Sequence, residues 1–123
     1  MARILVVDDE ESIRGFVERA LTLDGHDVKM AADGAEALDL LACENFELML
    51  SDIRMPLMDG IALALQAARD VPDMTILLMT GFADQRERTV DLESIIHDVV
   101  TKPFSLAQLR EAVSGAIAAR KAA

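Results

Sequence analysis

A doubly wound α/β domain built on a parallel sheet is the fold this sequence predicts. Short apolar runs alternate with amphipathic stretches from one end of the 123 residues to the other. The runs are continuous rather than alternating, as in strands buried on both faces. Five such β–α units follow one another without linker, repeat or low-complexity stretch, so one domain is expected over residues 1–119. Residues 120–123 read as a short C-terminal tail, and no output domain is expected.

Arg3-Ile4-Leu5-Val6-Val7 is the first strand and ends abruptly at Asp8-Asp9. Glu11 to Leu23 follows as a helix, with Ile13, Phe16, Val17, Ala20 and Leu21 at helical spacing and Gly25 placed to stop it. Asp27 to Ala31 is less hydrophobic and suits a strand at the sheet edge. Asp33 with Glu36 predicts a capped helix start, and Ala37, Leu38 and Leu41 form its inner face. Leu48 to Ser51 is the third strand, ending at Asp52, and Ile61, Ala64, Leu65 and Ala68 mark the next helix. Thr75 to Met79 is the fourth strand, closed by Thr80-Gly81. Residues 83 to about 95 carry a poor helical stripe, read as a helix. Asp98 to Thr101 is the fifth strand, closed by Lys102-Pro103. Ser105 with Gln108 fits a capping box for a last helix whose apolar face is Leu106, Leu109, Val113, Ala116 and Ile117.

Composition narrows the function. Lys and Arg number 12 against 22 Asp and Glu, a net charge of −10 that repels phosphate backbones and anionic membranes. Four Phe, with no Trp or Tyr, are too few for base-stacking platforms. One cysteine, Cys43, rules out an internal disulfide or a multi-Cys zinc site. No apolar run approaches the length of a membrane span, and a cytoplasmic location is expected. His26 and His97 have no second ligand at suitable spacing and read as surface residues.

In open parallel sheets, function collects at the carboxyl ends of the strands. This chain places Asp8-Asp9, Asp52, Thr80-Gly81 and Lys102-Pro103 there. Carboxylates converging on one crevice repel one another unless a cation lies between them, and hard oxygen ligands point to Mg²⁺. Lys102 suits a phosphoryl oxygen as a point charge, and Thr80 offers a hydroxyl donor. The chemistry implied is phosphoryl transfer to a carboxylate.

These residues carry a resemblance. Val6-Val7-Asp8-Asp9-Glu10, Ser51 to Gly60, Thr80-Gly81 and Lys102-Pro103-Phe104 are similar, in order, to the motifs of response-regulator receiver domains. The resemblance implies a (βα)5 flavodoxin-like sheet of order 2-1-3-4-5. It implies phosphorylation of Asp52 by a phosphohistidine donor, a histidine kinase or a histidine phosphotransfer protein. Asp9, Asp52 and the main-chain carbonyl of Arg54 would bind Mg²⁺ directly, Asp8 through water, while Thr80 and Lys102 contact the phosphoryl group. Lys102–Pro103 would be cis. Such a domain catalyses only its own phosphorylation and dephosphorylation. It signals by protein contact through the face formed by its fourth helix, fifth strand and fifth helix.

The chain departs from the family at Val99, where an aromatic ring usually stands, so Phe82 and residues 83–95 become the expected moving parts. The ending Ala122-Ala123 resembles tags read by AAA+ proteases, and the opening and the Thr-Gly-Phe-Ala stretch are similar to single-domain receivers of the CpdR type, which implies an AAA+ protease as partner. Two other functions compete. A flavodoxin-like cofactor binder would need a hydroxyl- and glycine-rich loop where Asp8-Asp9-Glu10-Glu11 stands. A small-substrate phosphatase would need a general acid where Arg54 stands.

Overall fold

The computed structural model describes residues 2–81, 92 and 94–122. Five parallel strands, β1 (Arg3–Val7), β2 (Asp27–Ala31), β3 (Leu48–Asp52), β4 (Thr75–Thr80) and β5 (Asp98–Thr101), form one sheet in the order β2-β1-β3-β4-β5. The helices are α1 (Glu11–Leu23), α2 (Gly34–Cys43), α3 (Gly60–Asp70) and α4 (Leu106–Ala122). Expected and observed strands agree to within one residue at each end.

Burial follows the strand order. The central strand β3 is buried along its whole length, as is β1 after Arg3, and this is why both read as unbroken apolar runs. Edge strand β2 alternates exposed and half-buried positions before Ala31. The two-residue period of a strand sorts each run between the two faces. Ile4, Val6, Leu48, Leu50, Leu77 and Met79 pack with Val17, Ala20 and Leu21 of α1 and Leu109, Val113 and Ala116 of α4. On the other face, Leu5, Val7, Met49, Ile76 and Leu78 pack with Ala37 of α2 and Leu63, Ala64 and Ala67 of α3.

Local signals hold at the helix ends. Asp33 accepts from the Glu36 N–H at 2.8 Å, and Asp59 accepts from the Ala62 N–H at 2.8 Å. Ser105 and Gln108 make the reciprocal capping pair, at 3.0 and 2.8 Å. Gly25 takes φ 82° just past α1, the left-handed conformation that glycine adopts without a steric penalty. The Lys102–Pro103 bond is cis. Phe82 and most of the helix expected over 83–95 lie outside the described residues. At the end of that stretch, the Leu92 carbonyl accepts from the N–H groups of Ile95 and Ile96 in a turn leading to β5. Among the described residues, no helix is long and apolar enough to cross a membrane.

Candidate acidic site at the strand ends

Parallel pairing in register brings the ends of β1, β3, β4 and β5 to one edge of the sheet. Val7 pairs with Ser51, Asp52 with Met79, and Thr80 with Thr101, so Asp8, Asp52, Thr80 and Lys102 all emerge on that edge. Carboxylate oxygens of Asp8, Asp9 and Asp52 lie within 4.8 Å of one another. Lys102 joins two of them, its Nζ 3.0 Å from Asp8 Oδ2 and 3.3 Å from Asp52 Oδ1.

Adjacent in sequence, Asp8 and Asp9 have opposite environments. Asp8 is fully buried, and its Oδ1 also accepts from the Glu10 N–H at 2.9 Å. Asp9 is exposed. Asp52 is 6% exposed, and desolvation, opposed by Lys102 and reinforced by the charges of Asp8 and Asp9, pushes its carboxyl up to about 6. Burial works against the Lys102 ammonium, yet the hydrogen bond to Asp8 and the fields of Asp52 and Asp8 leave it above its ordinary value. Three carboxylates thus face one ammonium and repel one another through a partly desolvated crevice. The donors are all carboxylate oxygens, the set that hard divalent cations prefer.

The remaining expected residues surround this cluster. Thr80 is buried at the end of β4, and its carbonyl accepts from the Lys102 N–H at 2.7 Å, which ties the two strand ends together. Arg54 is exposed, two residues beyond Asp52. Val99 is half-buried against the core on the α2–α3 face and pairs with Leu78. His97 is exposed, whereas His26 is half-buried and its Nδ1 accepts from the Ala2 N–H at 3.0 Å. Cys43 is exposed at the end of α2.

Two further contributors adjoin the cluster, Gly60 at the end of the Ser51–Gly60 motif and Arg14, which was not singled out in the sequence. Gly60 packs directly on the Asp52 main chain. Arg14 donates from Nη1 to the Asp8 carbonyl at 2.7 Å. The only sequence signal for Arg14 is a charge between Ile13 and Phe16, close to the apolar face of α1.

The model of the response regulator receiver domain matches residues 4–114. The chain belongs to the response-regulator receiver family. Among its relatives, response regulator MprA of Mycolicibacterium vanbaalenii is 37% identical over 107 residues, covering 87% of this chain and 46% of that protein. MprA of Mycobacterium tuberculosis is 36% identical with the same coverage. The receiver chain spans about half the length of these relatives. A CheY-like receiver domain protein from Methanospirillum hungatei superposes with a TM-score of 0.91 at 29% identity, covering 98% of this chain and 97% of that one. Response regulator TrrA of Thermotoga maritima, solved in complex with Mg²⁺-BeF, gives a TM-score of 0.84 at 34% identity, covering 94% of this receiver and 98% of that chain.

Proposed function

We propose that this receiver takes a phosphoryl group onto Asp52 from a phosphohistidine on a histidine kinase or phosphotransfer protein, with Mg²⁺ held by Asp9, Asp52 and the Arg54 carbonyl and, through water, by Asp8. The observation that carries this reading is Lys102 Nζ bridging Asp8 and Asp52 within the three-carboxylate cluster. The all-oxygen donor set and its surplus negative charge fit Mg²⁺, and the similar TrrA structure is a complex with Mg²⁺-BeF. When bound, Mg²⁺ neutralises charge on the phosphoryl oxygens and on the crowded carboxylates.

The chain's own residues do the rest. An Asp52 carboxylate oxygen attacks phosphorus, the bond from phosphorus to the donor imidazole nitrogen breaks, and that nitrogen keeps the electron pair and takes up a proton. Lys102 stands where its ammonium can leave Asp52 for a phosphoryl oxygen while Asp8 retains it. Thr80, buried at the adjacent strand end, supplies a hydroxyl to another phosphoryl oxygen. The nucleophile must be ionised, which at a carboxyl held up to about 6 is satisfied at neutral pH.

Output runs through protein contact, in keeping with the net charge of −10. The AAA+ protease as a specific partner rests on sequence resemblance alone, since Phe82, Ala83 and Ala123 lie outside the described residues. Acetyl phosphate with Mg²⁺ is expected to add one acid-labile phosphoryl group, and Asp52→Asn to abolish it. Full labelling of that variant, read by intact mass, would exclude Asp52 as the acceptor.

A further inference from the structure

The turn carrying Asp8 and Asp9 does not begin its helix in the usual way. Glu10, the N-cap of α1, makes no side-chain capping hydrogen bond, unlike Asp33 and Asp59 at the starts of α2 and α3. The turn is held through Asp8 instead. Its Oδ1 accepts from the Glu10 N–H at 2.9 Å, and its main-chain carbonyl accepts from Arg14 Nη1 at 2.7 Å. Arg14 is half-buried one turn into α1, and its own N–H donates to the Glu10 carbonyl at 3.1 Å. Helical side chains lean toward the N-terminus, so the guanidinium reaches back over the first turn to the end of β1.

That hydrogen bond falls on one particular peptide unit. The Asp8 C=O and the Asp9 N–H share a single rigid plane. An anchor on the oxygen therefore restricts ψ of Asp8 and φ of Asp9, and with them the direction of the Asp9 Cα–Cβ bond. Asp8 is already secured, with one carboxylate oxygen on the Glu10 N–H and the other on Lys102. Asp9 is exposed, and the course of the main chain is what brings its carboxylate into the cluster.

We infer that Arg14 is a positioning residue for the cation: by holding the Asp8 carbonyl it keeps the Asp9 carboxylate aimed at the Asp8–Asp52 pair, without touching ion or phosphoryl group itself. This rests on the Mg²⁺ reading proposed above. Arg14 acts through the main chain, whereas the charges acting on Asp52 are those of Lys102, Asp8 and Asp9.

The test is a Mg²⁺ titration by calorimetry on wild type, Arg14→Met, Arg14→Lys and Asp9→Ala, with urea unfolding in EDTA alongside. Loss of a partner that orients a ligand weakens metal binding, so Arg14→Met should bind Mg²⁺ about tenfold more weakly, while Arg14→Lys, which keeps a donor, stays within about threefold of wild type. Should Arg14→Met not fold, Arg14→Gln, too short to span to the Asp8 carbonyl, takes its place with the same expected loss. Wild-type Mg²⁺ affinity in Arg14→Met, beside clear weakening in Asp9→Ala, overturns the inference and leaves the Mg²⁺ site standing. Equal weakening in Arg14→Lys and Arg14→Met also overturns it. No Mg²⁺ binding by wild type removes the Mg²⁺ reading itself, and the inference with it.

Discussion

Gly60 lies against the main chain of Asp52 so closely that a side chain there would overlap the Asp52 carbonyl oxygen and stand 2.8 Å from the Asp52 carbonyl carbon and the Ile53 Cα. The Gly60 N–H donates to the Ile53 carbonyl at 2.7 Å, so the start of α3 is bound to the end of β3 beside Asp52. The loop after Asp52 folds back this tightly only because one residue lacks a Cβ.

Gly60→Ala is therefore expected to cost about 3 kcal/mol, since the clash is with main-chain atoms that cannot turn aside. Gly34 offers the contrast. A Cβ there would meet only side-chain atoms of Met58, Sδ at 2.8 Å and Cβ and Cγ at 3.1 Å. Gly34→Ala should cost under about 1 kcal/mol, because methionine re-packs readily. Urea unfolding of both variants checks the ranking, and equal losses would contradict it.

Asp52→Asn should stabilise the metal-free protein at pH 8. Folding raises this carboxyl from 3.8 to about 6, so the native state holds its proton more tightly than the unfolded chain. Its contribution is fully present below pH 3.8 and is lost as pH rises through about 6. At 1.36 kcal/mol per pH unit the ceiling is roughly 3 kcal/mol, and asparagine, which does not titrate, recovers part of it. Unfolding free energies in EDTA at pH 4, 5, 6 and 8 should show the variant gaining on wild type as pH rises. A constant difference across that range would refute the assignment.

Lys102→Met should act in the opposite direction. Asp8 is fully buried, and removal of the ammonium leaves its charge without an ionic partner, at a cost of about 3 kcal/mol. Mg²⁺ should return part of that loss, because a cation in the cluster replaces the missing charge. Thermal melts with and without Mg²⁺ read both effects. An undiminished melting temperature in EDTA would show that Asp8 does not depend on Lys102.

Leu57→Gly should leave the protein as stable or more so. Leu57 stands at φ 69° and is fully exposed, so its side chain contributes little burial to offset a conformation that L-residues avoid. The left-handed penalty is about 1–2 kcal/mol and the entropic cost of glycine about 0.5–1 kcal/mol, for a net gain of up to about 1.5 kcal/mol. A loss of stability in urea would mean that the leucine side chain packs in solution.

The sequence by itself determined the strands and the residues at their ends. The run Ile4 to Val7 stops at Asp8 and the strand Leu48 to Ser51 at Asp52, because a strand buried on both faces must change character where it leaves the core. Repeating that pattern in parallel units places Asp8, Asp52, Thr80 and Lys102 on one edge. Caps at Asp33 and Ser105 were equally legible, being contacts between residues three apart. Tertiary structure alone decided the rest. Whether Asp8 or Asp9 would be buried depended on which face each presents where β1 leaves the sheet, and the Asp-Asp pair carries no mark of it. The reach of Lys102 to Asp8 spans 94 residues of chain, and the overlap forbidden at Gly60 involves the backbone of another element. Local patterns record what neighbours in sequence do to one another. Distances across the sheet, and the charge balance they set at Asp52, arise only when separate segments share a solvent-excluded space.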